Sequence, residues 1–396
     1  MTDFSQTRQQ FSIPEGVTYL DGNSLGPLPT AAADAVARMM REEWGTHLIR
    51  GWNSAGWYQQ PRRVGDMIAP LIGAGPGQVV MGDTLSIKVF QALSAALTLN
   101  PGRRVILSDS GNFPSDLYVA QGFARAVGAE LRVVEPEAVE GAITPDLGVL
   151  MITEVDYRTG RRHDMKALTA RAHEMGALTV WDLAHSAGAV DVDLLGADAD
   201  FAVGCTYKYL NGGPGAPGFI WVHPRHAAAA EPCLQGWMGH DKPFAFDLDY
   251  RPAAGIERMR VGTPPVIALT ALEVALKVWE GVDMADLRAR SLALTDRFIA
   301  GVEAHCGDRL ALITPREHAR RGSQVSLRHP GAYAMIQALI AEGVIGDMRA
   351  PDVLRFGFTP LYIGEEEVDR AVALLGDLLD SGRWDRPEFH DRKAVT

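Results

Sequence analysis

Between about Asp83 and Val222, short runs of apolar and β-branched residues alternate with segments whose apolar residues recur at helical spacing. Strands that alternate with helices in this way are typical of parallel βαβ units. The strand segments are almost continuously apolar, as expected for a sheet that is covered by helices on both faces. This part of the chain therefore predicts an α/β domain with a mainly parallel sheet.

Seven strands can be assigned in this region, and helices separate most of them. The predicted strands cover 79–83, 103–109, 129–136, the first part of 148–160, 177–185, 200–208 and 218–222. The predicted helices begin at Ser86 and cover 116–128 and 165–175. We therefore expect a seven-stranded sheet flanked by helices.

After about Val266 the pattern changes to two long helices, followed by a mixture of short strands and helices. This change predicts a second, smaller α+β domain. The sequence contains no internal repeat, low-complexity tract or Ser/Gly linker. We divide it into an N-terminal segment, 1–50, that joins the small domain and the cleft, a large domain, 51–280, and a C-terminal domain, 281–396.

The chain is acidic, with 38 Lys and Arg residues against 49 Asp and Glu residues and a net charge of -11. Proteins that bind nucleic acid or anionic membranes through their phosphates normally show a basic surface. We therefore predict neither partner. Any phosphate that the protein binds must be held by local groups.

Three cysteines, Cys205, Cys233 and Cys306, lie far apart and form no C-x-x-C motif. This spacing disfavours a disulfide framework or a zinc ribbon, so we predict no metal site and a reducing, cytoplasmic location. The first residues lack the apolar core of a signal peptide, and the uncharged run 209–224 is interrupted by Gly and Pro. No membrane segment is predicted.

Polar residues follow three of the predicted strands, at the sheet edge where α/β proteins bind ligands. Asp182 ends an apolar strand, and Lys208 precedes a glycine-rich loop. Ser86 lies at a strand-to-helix turn, where free backbone N–H groups and hydroxyls can hold a phosphate. Taken singly, Lys208 resembles a surface lysine, while Asp182 and Ser86 resemble helix caps.

Together these three positions fit pyridoxal phosphate. A lysine can form a Schiff base with the aldehyde, an aspartate can keep the pyridine nitrogen protonated, and the turn can bind the phosphate. We therefore predict a pyridoxal phosphate enzyme.

Several motifs along the chain resemble those of the kynureninases, fold-type I pyridoxal phosphate enzymes of the aminotransferase class V group. The matching stretches are LDGNSLG at 20–26, FPSD at 113–116, DLAHSAG at 182–188, YKYLNGGPG at 207–215, GWMGH at 236–240 and RVGTPP at 260–265. The resemblance covers nearly the whole chain. It implies a transferase-like fold of this type and the hydrolysis of the Cβ–Cγ bond of L-kynurenine to anthranilate and L-alanine.

The resemblance also implies roles for residues around the cofactor ring. Lys208 would be the Schiff-base lysine and the base that moves the Cα proton. Asp182 would pair with the pyridinium, and Asp116 and His185 would lie around the ring and its phenolic oxygen. Phe113 would stack on the ring face.

Further residues match positions that bind phosphate in this family. Leu85 and Ser86 would bind it within the chain, and Tyr207 would contact it and donate a proton to the product carbanion. Trp237 and Thr263 match positions that the neighbouring subunit provides, which implies a homodimer with a shared active site.

The substrate would be bound through its carboxylate by Arg355, whose fork suits a bidentate contact. Many family members have Asn where this chain has Thr263, so the preference between L-kynurenine and 3-hydroxy-L-kynurenine stays open. The residues do not indicate which group activates the water. Trp44, Trp52, Trp57 and Tyr58 either line the pocket or pack the N-terminal segment, and His240 is equally undecided.

Three other functions fit the sequence less well. A cysteine desulfurase-like lyase of the same fold needs an exposed cysteine on a mobile late loop, and the three cysteines fit this poorly. A non-catalytic descendant is expected to lose the lysine or the aspartate, and both are present. A nucleotide-binding oxidoreductase would need a G-x-G-x-x-G motif between a strand and a helix.

Overall fold

The N-terminal part of the chain consists of short elements that lie against the rest of the protein. In a computed structural model, which describes residues 2–392, these elements are helix α1 (Phe4–Arg8), strands β1 (Phe11–Ser12), β2 (Thr18–Tyr19) and β3 (Leu28–Pro29), and helices α2 (Thr30–Arg38), α3 (Gly45–His47) and α4 (Gly51–Ser54). A π-helical turn, Met39–Trp44, follows α2. Strands β1 and β3 pair in antiparallel orientation.

The central sheet has seven strands, as predicted. They are β4 (Val79–Met81), β5 (Val105–Asp109), β6 (Glu130–Val134), β7 (Leu147–Thr153), β8 (Leu178–Asp182), β9 (Phe201–Gly204) and β10 (Phe219–Val222). Their order is β4-β10-β9-β8-β7-β5-β6. Strand β10 is antiparallel to both of its neighbours, and the pairs from β9 to β6 are parallel.

Helices cover both faces of this sheet. They are α5 (Gln60–Ile68), α6 (Leu85–Leu99), α7 (Pro114–Val127), α8 (Val139–Ala142) and α9 (Met165–Glu174). Successive strand residues point to opposite faces, so Trp181 packs in one core with α5 and α9, whereas Val180 packs in the other with α6 and α7. This two-sided burial explains the continuous apolar strands.

The C-terminal part of the chain forms an α+β unit. Its elements are α10 (Val266–Ala275), α11 (Met284–Cys306), β11 (Ala311–Leu312), β12 (Gln324–Arg328), α12 (Ala332–Ala341), β13 (Val344–Ile345), β14 (Asp347–Arg349), β15 (Val353–Gly357) and α13 (Glu365–Ser381). Four strands form an antiparallel sheet in the order β11-β12-β15-β14.

Short 3-10 helices connect these elements. They are Leu48–Arg50, Ala69–Ile72, Pro136–Ala138, Trp237–Gly239, Pro243–Ala245, Gly255–Met259, Leu276–Trp279, Gly307–Arg309, His318–Arg320, Arg383–Asp385 and Pro387–Phe389. Within residues 2–392, no helix has both the length and the apolar character needed to cross a membrane.

The N-terminal segment is hydrogen-bonded to both larger parts of the protein. Strand β2 pairs with β13 in parallel, and the amide of Gly357 donates to the carbonyl of Leu20 at 2.7 Å. A few residues later, the amide of Gly26 donates to the carbonyl of Tyr207 at 2.8 Å. Residues 18–26 therefore link the small antiparallel sheet to the loop that carries Lys208.

Several predicted strands extend beyond the observed ones, and the largest difference is at the end of β9. Strand β9 ends at Gly204, so Lys208 lies in the following loop and does not close the strand. The loop folds back on itself: Thr206 Oγ1 donates to the carbonyl of Pro217 at 2.6 Å, and its own carbonyl accepts from the amide of Gly212 at 2.8 Å. These hydrogen bonds occupy the carbonyl groups of Pro217 and Thr206, which a longer strand would need for pairing.

Candidate active site

A cavity of about 230 Å³ lies where the carboxyl ends of β7, β8 and β9 meet the start of α6. Seven residues singled out in the sequence line it together: Leu85, Ser86, Phe113, Asp182, His185, Tyr207 and Lys208. They come from four separate segments of the chain. The fold therefore brings seven of the ten predicted cofactor residues into one place.

Lys208 and His185 are in direct contact at the base of this cavity. Lys208 Nζ lies 2.9 Å from His185 Nε2, and both residues are buried. Burial and the charge of Lys208 hold the pKa of His185 well below its usual range. The imidazole is therefore neutral and accepts the hydrogen bond from the lysine.

Two buried carboxyl groups lie near the lysine. Asp182 is the last residue of β8, and its Oδ1 accepts from the amide of Ala184 at 2.9 Å. Burial raises the pKa of Asp182 to about 6, although Lys208 opposes the shift. Burial and the Asp182 charge hold the pKa of Asp116, in the first turn of α7, well above its usual range.

Neither carboxyl oxygen of Asp116 has a hydrogen-bond partner among the described residues. A buried carboxyl group without a partner is costly, and such a site is usually completed by a bound group. The pair Asp116 and Asp182 could therefore receive a cationic or hydrogen-bond-donating ring.

The first turn of α6 forms another wall of the cavity. Thr84 caps the helix with extended backbone, but its side chain makes no capping hydrogen bond to the residues described here. The amides of Leu85 and Ser86 therefore point out of the helix with no partner inside it, and the helix dipole favours an anion there. This turn and the Ser86 hydroxyl can hold a phosphate.

Phe113 and Tyr157 form an aromatic wall. Phe113 immediately precedes α7 and is 40% exposed, and its ring centroid is 5.0 Å from that of Tyr157 at an interplanar angle of 83°. Lys208 Nζ is 5.7 Å from the centroid of Phe113. A large aromatic face so close to the lysine is suited to stacking on a flat ligand.

Tyr207 and Cys205 lie on the loop before Lys208 and also line the cavity. Burial, together with Cys205, raises the pKa of Tyr207, so its hydroxyl stays protonated at neutral pH. Burial also raises the pKa of Cys205, which disfavours the thiolate that a sulfur nucleophile requires.

Besides the fully buried Asp116, two predicted cofactor residues lie outside this cavity. Trp237 is 41% exposed, and its ring contacts Phe244 with centroids 5.7 Å apart. Thr263 is also exposed. Neither residue lines the cavity of its own chain. This position is compatible with the prediction that they contact the cofactor of a neighbouring subunit.

Arg355 is buried beneath Tyr157 and makes several hydrogen bonds. Its Nε donates to Asp347 Oδ1 at 2.7 Å, and its Nη1 donates to the carbonyl of Tyr157 at 2.5 Å. It lies next to the wall of the cavity, and its predicted contact with the substrate stays a prediction.

Of the N-terminal aromatic residues, Trp57 has a packing role, whereas Trp44 is 52% exposed. Trp57 is buried, donates from Nε1 to Glu43 Oε2 at 2.8 Å and contacts the ring of Trp52. His240 is buried, and its Nδ1 accepts from the amide of Lys242 at 3.0 Å. These contacts favour the structural interpretation of Trp57 and the capping interpretation of His240.

No motif indicated Tyr157 or Thr153, two polar residues that line the cavity. Thr153 ends β7, as Asp182 ends β8, so its position at a strand end was a usable signal. Tyr157 follows the same strand in a turn, and its approach to Phe113 depends on tertiary packing.

The residues fit the predicted cofactor. The cavity combines a lysine, the buried carboxyl group of Asp182, an open helix N-terminus and an aromatic face. These are the groups that pyridoxal phosphate requires for its aldehyde, ring nitrogen, phosphate and ring face. Lys208, Asp182, Ser86 and Phe113 would hold those four parts.

Solved structures with a similar fold are known. The apo cysteine desulfurase from Thermococcus onnurineus NA1 aligns with a TM-score of 0.80 and 19% identity, over 96% of this chain and 99% of that one. A C-DES variant described with glycine covalently linked to its PLP cofactor aligns with a TM-score of 0.80 and 17% identity, over 95% and 100% of the two chains. At this identity the likeness concerns the fold.

Closer relatives are found by sequence. Residues 287–375 match the family model of the kynureninase C-terminal domain. The kynureninase of Pseudomonas fluorescens is 54% identical over 98% of this chain and 95% of its own length. That of Burkholderia pseudomallei (strain 1106a) is 52% identical over the same shares. The chain therefore belongs to the kynureninase family.

Proposed function

We propose that this protein is a pyridoxal phosphate-dependent hydrolase acting on a carbon–carbon bond, and that it cleaves L-kynurenine to anthranilate and L-alanine. Family membership over nearly the whole chain supports the reaction. The observation that supports the site is the placement of Lys208 beside neutral His185 in a cavity that also contains Asp182.

The cofactor, when bound to Lys208, supplies an electron sink that makes the substrate Cα proton acidic. Asp182 holds a positive charge on the ring nitrogen, because an ionised carboxylate stabilises a neighbouring cation. Leu85 and Ser86 bind the phosphate through the start of α6, and Phe113 fixes the plane of the ring.

Proton transfer is assigned to two neighbouring residues. Lys208 would be the base that removes and returns protons at Cα. His185 accepts a hydrogen bond from Lys208 Nζ and so keeps that amine directed into the cavity. Tyr207 holds its proton at neutral pH and donates it to Cβ as alanine forms.

We propose a homodimer in which Trp237 and Thr263 complete the partner's active site. Both residues are exposed and lie outside the cavity of their own chain, which supports the proposal.

We further propose that the protein acts in the cytoplasm, in tryptophan catabolism or in the supply of precursors for NAD. Two of its three free cysteines are buried, which fits a reducing compartment.

The activity is tested with purified protein loaded with pyridoxal phosphate. We expect L-kynurenine to release fluorescent anthranilate and an equal amount of alanine, and we expect Lys208→Ala to abolish both products. The exposed Lys166→Ala is the matched control and should retain activity. Sulfide release from L-cysteine without anthranilate release would overturn the assignment, and 3-hydroxy-L-kynurenine in parallel sets the substrate preference.

The shared active site is tested by mixing two inactive variants, Lys208→Ala and Trp237→Ala. In a mixed dimer one site combines an intact lysine with an intact partner tryptophan, so part of the activity should return. If the variants exchange subunits but the mixture stays inactive, each site is made by a single chain.

A further inference from the structure

Three charged side chains project from the same face of the small antiparallel sheet. In the register of β14 and β15, Asp347 lies directly opposite Arg355. Arg349 is two residues after Asp347 on β14 and so points to the same side. This face abuts Tyr157, whose carbonyl accepts from Arg355 and whose side chain lines the cavity.

The guanidinium of Arg355 is largely occupied by groups of this chain. Nε and Nη2 donate to the two oxygens of Asp347 at 2.7 and 2.5 Å. Nη2 also donates to Ser24 Oγ at 3.0 Å, and Nη1 donates to the Tyr157 carbonyl. Of its five N–H groups, only one on Nη1 has no acceptor among the described residues. Arg355 alone therefore cannot offer a free bidentate fork.

Arg349 is the more available of the two arginines. Its side chain is 32% exposed, against 1% for Arg355. Nη2 lies 2.9 Å from Asp347 Oδ2 and 3.2 Å from Ser24 Oγ, and Nη1 donates to the carbonyl of Met348 at 2.9 Å. Nε and the second Nη1 hydrogen have no acceptor in the described part of the chain.

Ser24 connects all three charged side chains. Its hydroxyl donates to Asp347 Oδ2 at 2.5 Å and accepts from both arginines. Ser24 belongs to the DGNSLG motif near the start of the chain, whereas the other three residues lie in the C-terminal sheet. The two guanidinium groups are thus held together by one carboxylate and one hydroxyl.

The charges of this cluster do not balance. Arg349 and Arg355 contribute two positive charges, and their field holds the pKa of Asp347 below its usual range despite burial, so Asp347 contributes one negative charge. Burial and the charge of Asp347 raise the pKa of nearby Asp21 to about 8, so Asp21 is neutral at neutral pH. One positive charge remains for a ligand with a single negative charge.

We propose that Arg349 is a second carboxylate-binding residue, which binds the α-carboxylate of the amino-acid substrate together with the remaining N–H of Arg355. Asp347 and Ser24 are positioning residues that hold the two guanidinium groups side by side. The identity of the substrate rests on the proposed function. The carboxylate site itself would bind any α-amino acid that enters the cavity.

The test compares a ligand that has the carboxylate with one that lacks it. Holoenzyme is titrated with L-alanine and with ethylamine, and the cofactor absorbance reports binding. Loss of hydrogen bonds to a charged group predicts about 10- to 100-fold weaker L-alanine binding by Arg349→Met, with ethylamine binding unchanged. Arg349→Lys should fall between, because it retains the charge and loses the fork.

The matched control is Arg328→Met, which removes an exposed arginine from the neighbouring strand β12 of the same sheet. It should bind both ligands as the natural sequence does. In steady-state assays, Arg349→Met should raise KM for L-kynurenine much more than it lowers kcat.

Unchanged L-alanine binding in Arg349→Met, or equal weakening of L-alanine and ethylamine, would overturn the proposal. Its failure is distinguishable from failure of the proposed function, because the L-alanine titration does not depend on kynurenine cleavage. A protein that fails to cleave L-kynurenine but loses L-alanine binding on Arg349→Met would refute only the proposed function.

Discussion

The backbone amide of Gly26 is hydrogen-bonded to the carbonyl of Tyr207, and this contact leaves no room for a side chain at position 26. A Cβ atom there would lie 2.5 Å from the Lys208 carbonyl oxygen and 2.7 Å from Asn211 Cα. Both are backbone atoms of the loop that presents the lysine, so the loop would have to move.

We therefore expect Gly26→Ala to destabilise the protein by about 1–3 kcal/mol, as overpacked sites do, and to lower turnover by shifting Lys208. Denaturant unfolding and anthranilate release measure the two effects. Gly122→Ala is the control, because a Cβ at this position in α7 meets no atom within 4 Å. If the two variants have equal unfolding free energies and equal turnover, the loop tolerates the displacement.

Removing the ring of Phe113 should weaken cofactor binding with little effect on folding, because the ring is 40% exposed. Aromatic stacking contributes about 0.5–1.5 kcal/mol, so Phe113→Ala should raise the Kd for pyridoxal phosphate by about 2- to 10-fold. Tyr118→Ala, on the exposed side of helix α7, which Phe113 precedes, should leave this Kd unchanged. Fluorescence titration of the cofactor-free protein gives both constants.

The stability of the cofactor-free protein should depend on pH through Asp182. Because burial raises the pKa of Asp182 to about 6, the folded protein keeps this proton at pH values where the unfolded chain has lost it. The stabilisation is therefore present below about pH 4 and is lost as the pH rises through 6. An asparagine at position 182 is neutral throughout this pH range, so Asp182→Asn lacks this pH dependence.

Relative to Asp182→Asn, the natural sequence should lose about 2 kcal/mol of unfolding free energy between pH 4 and pH 7. Urea unfolding of both proteins at several pH values measures this difference. A difference that stays constant across the range would mean that Asp182 is ionised at acidic pH in the folded protein.

Replacing Tyr207 by Phe should lower kcat by about 10²- to 10⁴-fold, the usual contribution of a positioned acid, while the cofactor stays bound. KM should change little, because the proposed role of the hydroxyl is to donate a proton to Cβ and not to bind the substrate. Tyr209→Phe is a control two residues along the chain, where the hydroxyl lies 3.4 Å from the carbonyl of Ser323. A kcat for Tyr207→Phe within threefold of the natural value would assign the acid to another group.

The seven-stranded sheet and most of the cavity could be predicted because their signals are local. Strands that are buried on both faces read as apolar runs, and residues at their carboxyl ends, such as Asp182, fall at one edge of the sheet. The end of β9 could not be predicted, because residues 205–208 continue a pattern that is compatible with a strand. They form a loop because Thr206 is hydrogen-bonded to Pro217 and Gly212, and the sequence does not indicate these contacts.

Contacts between distant segments could not be predicted. Arg355 was assigned from its motif, but its pairing with Asp347 depends on the register of β14 against β15, and its contact with Ser24 joins residues 331 positions apart. The same holds for Tyr157, whose place in the cavity follows from the packing of its turn against Phe113.

The double attachment of residues 18–26 has a consequence for the order in which the newly made chain matures. Leu20 bonds to Ile345 and Gly357, so residues 18–26 cannot complete these contacts until residue 357 has been synthesised and has left the ribosome. Gly26, at the other end of the segment, supports the Lys208 loop. The large sheet can thus form early during synthesis, whereas the lysine loop acquires its final support among the last steps of folding.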